Sequence, residues 1–509
     1  MANTSITATV EANKPFVRRD AVRAGREGLR WDYALAAGIV IILTFAAVRW
    51  NQSILHWFLA PVMACGILAG VDIVRWARGK LDLFDPKTII ACVAFYGFFV
   101  APLLNVCLDT YGVGDLPYWG DWRPWLGAMA GLTALGLAAY RLFHDIAFAH
   151  AKPSAERWEI NHRKTYPFFA FGLLLSVAGT VAFLWQLNGI AGLVRSFESE
   201  PEAFAGKGWL LVFAWPLAIV LFIAVVYVLT RGRNAEHRRR NLVIALSLLV
   251  LAGALHLLLV GSYGSRGTTV WALFWMLGII HYRVRALPKK AMIVGVVFLI
   301  GFMYLYGFYK EKKTEALDVL RAPSTWLDPE GYQRNFKYLL LGDLARADCN
   351  AFMLRNLVVE PDDYNYRWGL TYVGALAFLI PSSLWPDRPE IRVDAGSEAL
   401  WGKATQLRST RLYGLGGEAL LNFGPWGVAP MFAIYGALLG WYRRKLNTWD
   451  SADARIFLAP FFTAMLVMGL VYDSDVLLFT FITEGALTIA VLFAASKRLP
   501  RQPERVAQQ

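Results

Sequence analysis

Apolar residues in this chain fall in runs of about 18 or more, separated by short polar segments in which Lys and Arg recur. A helix rises about 1.5 Å per residue and a bilayer core is about 30 Å thick, so each long run predicts a membrane-crossing helix. Twelve are predicted, near 32–50, 54–74, 88–107, 122–140, 166–189, 208–230, 241–261, 268–282, 291–309, 419–441, 456–472 and 476–496. The eighth is short and the third runs up to a proline. The fourth is rich in Gly and Ala, where glycine would serve close helix packing. The expected fold class is an all-α polytopic membrane protein of about 12 transmembrane helices, with one large external loop containing short helices.

The pattern divides the chain into a basic N-terminal segment (1–31), nine spans (32–309), a large loop (310–418), three spans (419–496) and a tail (497–509). Composition agrees. Of 509 residues, 57% are hydrophobic and 17% charged, with mean hydropathy +0.41. The formal charge of +13 does not indicate nucleic acid, because the cations sit in short clusters between apolar runs, as the positive-inside rule expects. Arg75, Arg78 and Lys80, the run Arg231 to Arg240, and Arg443, Arg444 and Lys445 then face the cytoplasm. Both termini are expected there too. Arg49, Arg123, Arg195, Lys207 and Arg266 fall in short external turns. The first span reads as a retained helix rather than a cleaved signal. Cys65, Cys92, Cys107 and Cys349 have neither metal-ligand nor disulfide-framework spacing. No nucleotide-binding glycine loop occurs, and no cofactor or metal is expected.

The large loop carries 14 basic and 15 acidic residues among aromatics such as Trp326, Tyr332, Phe336, Tyr364, Tyr366, Trp368 and Trp385. Two runs in it, "ALDVLRAP" and "NFKYLLLGDLARADCNAFMLRNLV", predict helices. The stretch "GLTYVGALAFLIPSSLWP", 369–386, is too short to cross comfortably and meets Pro381, so a re-entrant or interfacial segment is expected.

Three external features carry candidate chemistry. Arg266 in "GSYGSRG" would stand at the membrane surface, able to fork two donors onto a phosphate or to snorkel toward lipid headgroups. Arg367, Asp387, Arg388, Arg392, Asp394 and Glu398 alternate sign around aromatic residues, as a carbohydrate site or an interfacial loop laced by ion pairs would. Arg408, Arg411, Glu418 and Asn422 surround three glycines at the start of the tenth span. If 418–422 is helical, Glu418 and Asn422 share a face. A carboxylate at that depth calls for a lined cavity. Asp473 and Asp475, in a short turn, are expected to be exposed. Glu484 and His256 lie inside spans and would face a cavity or another helix.

The segments "GSRG", "GLTYVGALAFLIPSSLWPDRPE" and "GGEALLNFGPWGVAPMFAIYGALLG", taken in order over roughly 240–445, give a chain that resembles bacterial oligosaccharide repeat-unit polymerases. These are the Wzy-like enzymes of O-antigen and exopolysaccharide synthesis. The chain departs from their pattern after Pro381, where Ser382 and Ser383 stand in place of a basic residue. The resemblance implies a multi-pass protein of the bacterial inner membrane and a polyprenyl-diphosphate-linked oligosaccharide as substrate. A growing glycan would pass to the hydroxyl of an acceptor repeat, without a nucleotide and with a chain-length regulator as a possible partner. By that likeness Arg266, Arg408 or Arg411 would hold the donor diphosphate. Glu418 would orient or deprotonate the acceptor hydroxyl, with Asn422 positioning it. Arg367, Arg388 and Asp387 would contact substrate. A glycan ligase and a lipid-linked sugar flippase are the competing expectations. Against the flippase, no repeated half is visible in the chain.

Overall fold

The structure is a computed structural model that describes residues 26–500, apart from 113–115, 117–119, 153, 200–207, 232–237, 262–265, 313–334, 378–379, 381–383, 404 and 408–410. In chain order the helices are α1 (Arg26–Trp50), α2 (Leu59–Ala77), α3 (Pro86–Cys107), α4 (Arg123–His150), α5 (His162–Gln186), α6 (Gly208–Arg231), α7 (Arg238–Leu259), α8 (Arg266–Ile279) and α9 (Lys289–Lys312). There follow α10 (Ala347–Val359), α11 (Leu370–Ala377), α12 (Arg392–Trp401), α13 (Gly414–Phe423), α14 (Val428–Leu446), α15 (Ala459–Val471) and α16 (Ser474–Ala494).

Among the described residues, ten helical stretches are long and apolar enough to cross a membrane: α1 to α7, α9, the joined α13–α14, and α16. The chain is a multi-pass, largely helical membrane protein. The other two expected spans do not meet that measure of length and apolarity together. α8 has 14 residues before its coil widens over Ile280–Val284. α15 has 13, because a tight turn at Ala454–Phe457 takes up the start of the apolar run. Both are wedged inside the bundle. Trp275 Nε1 on α8 donates to the Phe457 carbonyl at 2.7 Å, and a Cβ on Gly278 would stand 2.4 Å from Pro460.

A two-stranded antiparallel sheet, β1 (Glu156–Ile160) with β2 (Ser496–Pro500), ties the expected tail to a connection between spans. Trp158 packs on Phe493 and lies under Arg498. The pattern of apolar runs gave no sign of it.

α4 and α14 form the most extensive helix pair. Glycines permit the approach: a Cβ on Gly436 would stand 2.2 Å from the Tyr140 carbonyl oxygen, and one on Gly440 2.2 Å from that of His144. Gly136 of the Gly- and Ala-rich fourth span likewise lies under Phe432, as close packing requires. Cys65 is fully buried and donates to the Ala130 carbonyl.

Two charged clusters sit at opposite ends of this pair, separated by the ~28 Å rise of α14's helix. At the C-terminal ends, Arg443 meets Asp85, while Asp72 meets Arg141 and Lys87. At the N-terminal ends lie α10 to α13. These four belong to the expected external loop and its approach to the membrane, of which the run "ALDVLRAP", Trp326 and Tyr332 lie outside the described residues. α11 is an eight-residue helix, roughly 12 Å long and unable to cross a bilayer. Leu370, Val373 and Leu376 form an exposed apolar face on it, as a segment at a membrane surface would have. Pro381, expected to end it, lies outside the described residues.

Candidate functional site

Glu418 is buried on α13 and its carboxylate meets neutral donors. Thr371 Oγ1 donates to Oε1 at 2.9 Å, Ser474 Oγ donates to the same oxygen at 2.5 Å, and the Ser474 backbone N–H donates to Oε2 at 2.8 Å. Asn422, one turn on, donates from Nδ2 to Thr371 Oγ1 at 2.7 Å and to the Glu418 carbonyl at 2.9 Å. Its Oδ1 accepts from the Gly369 N–H at 2.9 Å. Trp368 (φ 48°) and Gly369 (φ 92°) make the turn that aims this N–H at Asn422. The shared face read from the 418/422 spacing is therefore real, and Asn422 locks the hydroxyl that Glu418 accepts.

The glycines around Glu418 are packing devices rather than a loose hinge. Gly414 has φ +69°, and a Cβ there would stand 2.7 Å from the Leu470 carbonyl oxygen. A Cβ on Gly417 would lie 2.5 Å from Tyr413 Cβ and 2.7 Å from Asn350 Oδ1. Gly424 (φ +66°) then breaks the helix, so that α13 and α14 run as separate segments with Trp426 fully displayed at the joint.

Beside Glu418 lies Asp473, expected in an exposed turn but fully buried. It accepts from the backbone N–H groups of Gly414 at 2.7 Å and Tyr413 at 3.1 Å, and pairs with Arg392 Nε at 3.1 Å. Burial pushes the Asp473 carboxyl up, to about 8; Arg392 opposes the rise and the nearby Glu418 carboxyl adds to it. Arg392 also donates to Asp475 Oδ1 at 3.0 Å and to the Arg411 carbonyl at 2.5 Å. Burial disfavours its charge, yet Asp473 and Asp475 outweigh that and hold the guanidinium above its ordinary range. Arg411 Nη2 stands 3.7 Å from Asp348 Oδ1. Burial there too is outweighed by the adjacent carboxylate.

Arg346 and Asn350 complete the cluster. Both line a small cavity of about 50 Å³, room for a few waters, otherwise walled by apolar groups such as Leu126, Met129, Phe432 and Leu470. The Arg346 guanidinium donates from Nη1 to the Asp343 and Ala345 carbonyls, at 2.9 and 2.7 Å, and its Nε is buried with no acceptor. Burial lowers its pKa. Asn350 donates to the Tyr413 carbonyl at 3.0 Å, while its buried Oδ1 accepts nothing.

The candidates from the sequence separate into groups. Glu418 and Asn422 share one hydrogen-bonded cluster next to Asp473, while Arg411 joins it through its carbonyl on Arg392 and turns its guanidinium to Asp348. Arg367, just before α11, is paired with Glu398 of α12 and, at 3.0 Å, with Glu390. Arg388 donates to the Ile380 carbonyl at 3.2 Å, and Asp387 is exposed beside it. Arg266 is the first residue of α8, its side chain outside the described residues; Arg408 lies outside them altogether. Sequence reasoning missed Arg346, Asp348, Asp473, Ser474 and Thr371. Only "LAR" within a predicted helix hinted at the first. Elsewhere, His256 Nε2 and Glu484 Oε1 are buried 3.2 Å apart, each the partner that the other's burial called for.

No family model matches this chain, and no curated protein or solved structure does so significantly.

Proposed function

We propose that the protein polymerises polyprenyl-diphosphate-linked oligosaccharide repeats at the outer face of the bacterial inner membrane. One observation carries the reading: a buried carboxylate, Glu418, is held by neutral donors beside a group of arginines at one end of a multi-pass bundle. A lipid-linked diphosphate brings negative charge to the membrane surface, and a glycan acceptor brings a hydroxyl. The site offers a counterpart to each.

In the reaction, the bond between the donor's anomeric carbon and the diphosphate oxygen breaks. A bond from that carbon to the acceptor hydroxyl oxygen forms, the hydroxyl proton passes to Glu418, and the lipid diphosphate leaves with the electron pair. Thr371, Ser474 and Asn422 fix the carboxylate's direction. Arg346 and Arg411 offset charge on the departing diphosphate, joined by Arg266 and Arg408 on the strength of the family resemblance. Arg367, Arg388 and Asp387 lie along the approach of the glycan.

The test incubates the purified protein, in membranes, with lipid-diphosphate oligosaccharide repeats and resolves the products by size. A repeat-spaced ladder is expected from the wild type and is lost, about 10²-fold or more, in Glu418→Gln and Arg411→Ala. Single repeats left unextended, with transfer to a different acceptor or across the bilayer, overturn the reading in favour of a ligase or a flippase.

A further inference from the structure

A second concavity lies at the other end of α12, away from Glu418. It encloses about 290 Å³ between α10 and α12, close to the lower bound of ordinary small-molecule sites, roughly 300–1,000 Å³. Arg355, Glu360, Asp363, Tyr364, Glu398 and Trp401 line it. Its walls are braced: Asn356 Nδ2 donates across to the Ala399 and Leu400 carbonyls at 3.2 and 3.0 Å, and Arg355 pairs with Glu360 at 3.0 Å. Tyr364 donates to the Leu421 carbonyl at 2.7 Å, anchoring the pocket to α13. Gly402 closes α12 at φ +84°, a backbone conformation that favours glycine.

We propose that this pocket is a saccharide subsite, an inference that rests on the glycan reading above. Three carboxylates set around a volume, beside an indole and a phenol ring, suit a polyhydroxylated ligand: oxygens accept from hydroxyls while the indole covers an apolar ring face. A cation is the alternative occupant of any acidic group. Here the spacing speaks against it, since among the described residues no three His, Cys, Asp or Glu side chains lie close enough to hold one ion. Glu360, Asp363 and Glu398 outnumber the two cations paired with them, Arg355 on the lining and Arg367 behind Glu398, so the subsite favours neutral and amino sugars over uronic acids. From Arg392, at the Asp473 cluster, to Trp401 in the pocket, α12 rises roughly 14 Å, the reach of a short oligosaccharide. A glycan seated here extends toward Glu418.

The experiment exposes the full-length protein in detergent to an array of immobilised two- to five-sugar glycans carrying neither phosphate nor lipid. The wild type retains a subset weighted toward neutral and amino sugars. Glu360→Gln, Asp363→Asn and Trp401→Ala each lower retention at least tenfold, and the first two are isosteric changes at exposed positions that leave folding intact. Lys164→Gln, an exposed change on α5 outside the site and the pocket, leaves retention unchanged. Binding that depends on the pocket in a protein that makes no ladder keeps the subsite and discards the polymerase. No glycan retained by the wild type, retention in the three pocket variants equal to the wild type's, or retention abolished by a chelator overturns the subsite.

Discussion

At the C-terminal ends of α4 and α14, Arg443 donates three hydrogen bonds to Asp85 at 2.6–2.9 Å, and Arg141 and Lys87 share Asp72 at 2.9 and 3.7 Å. At the N-terminal ends, Glu418 meets hydroxyls and a backbone N–H, while Arg346 meets carbonyls. Both regions bury several charges against apolar helices. In the first, each carboxylate faces a cation, so the network is closed and has little left to offer a ligand. In the second, Asp473 and Asp348 also face arginines, but Glu418 is held by neutral donors and Arg346 by carbonyls, so charge there is only partly matched. A clamp and a site are thus told apart by how completely charge is matched, not by how much of it is present.

The comparison can be broken from either end. The largest loss of stability belongs to the clamp: Arg443→Ala leaves Asp85 buried and unpaired, a cost of about 3–5 kcal/mol. It is read as a large fall in the yield and unfolding temperature of purified protein. At the other end, Glu418→Gln lowers transfer by roughly 10²–10⁴-fold. The same substitution shifts stability by no more than about 1 kcal/mol, the worth of an ordinary hydrogen bond. A Glu418→Gln protein that unfolds as readily as Arg443→Ala would make Glu418 a second clamp.

Gly417→Ala tests the packing around the site. The new methyl meets Tyr413 and Asn350 at 2.5 and 2.7 Å, so a destabilisation of about 1–3 kcal/mol is expected, with a matching drop in thermal midpoint. A slope with pH tests the buried carboxyl next to it. The Asp473 carboxyl is raised on folding from an ordinary 3.8 to about 8, so the folded state binds more protons between those values. Its contribution to stability is whole below the ordinary value, declines as pH rises toward 8 and levels off beyond. The thermal midpoint therefore falls from pH 5 to 8 in the wild type, and Asp473→Asn flattens that fall. An unchanged slope in the variant would place the proton elsewhere.

Much of the architecture was legible because hydropathy reports directly on length and composition: ten long apolar stretches stand where runs of apolar residues predicted spans. It does not report where a helix starts within such a run, and α15 has only 13 residues. Glu418 and Asn422 were legible as a pair because one helical turn joins them. Asp473 was not, because the partners that bury it lie 60 positions away at Tyr413 and beyond that at Arg392. A short turn between two apolar runs looks exposed until another segment covers it. Arg346 was hidden for a related reason. A cation in an amphipathic helix reads as solvated unless the fold shows that its neighbours are carbonyls and an apolar cavity.

The Asp85–Arg443 contact joins residues 358 positions apart. At about 5–20 residues per second, a ribosome needs roughly 20–70 s to deliver Arg443 after Asp85 has left it. Throughout that interval the early helices sit in the membrane with an unmatched aspartate, and they become a finished unit only when α14 arrives. Chains cut short anywhere before α14 would lack Arg443 and leave Asp85 without that partner.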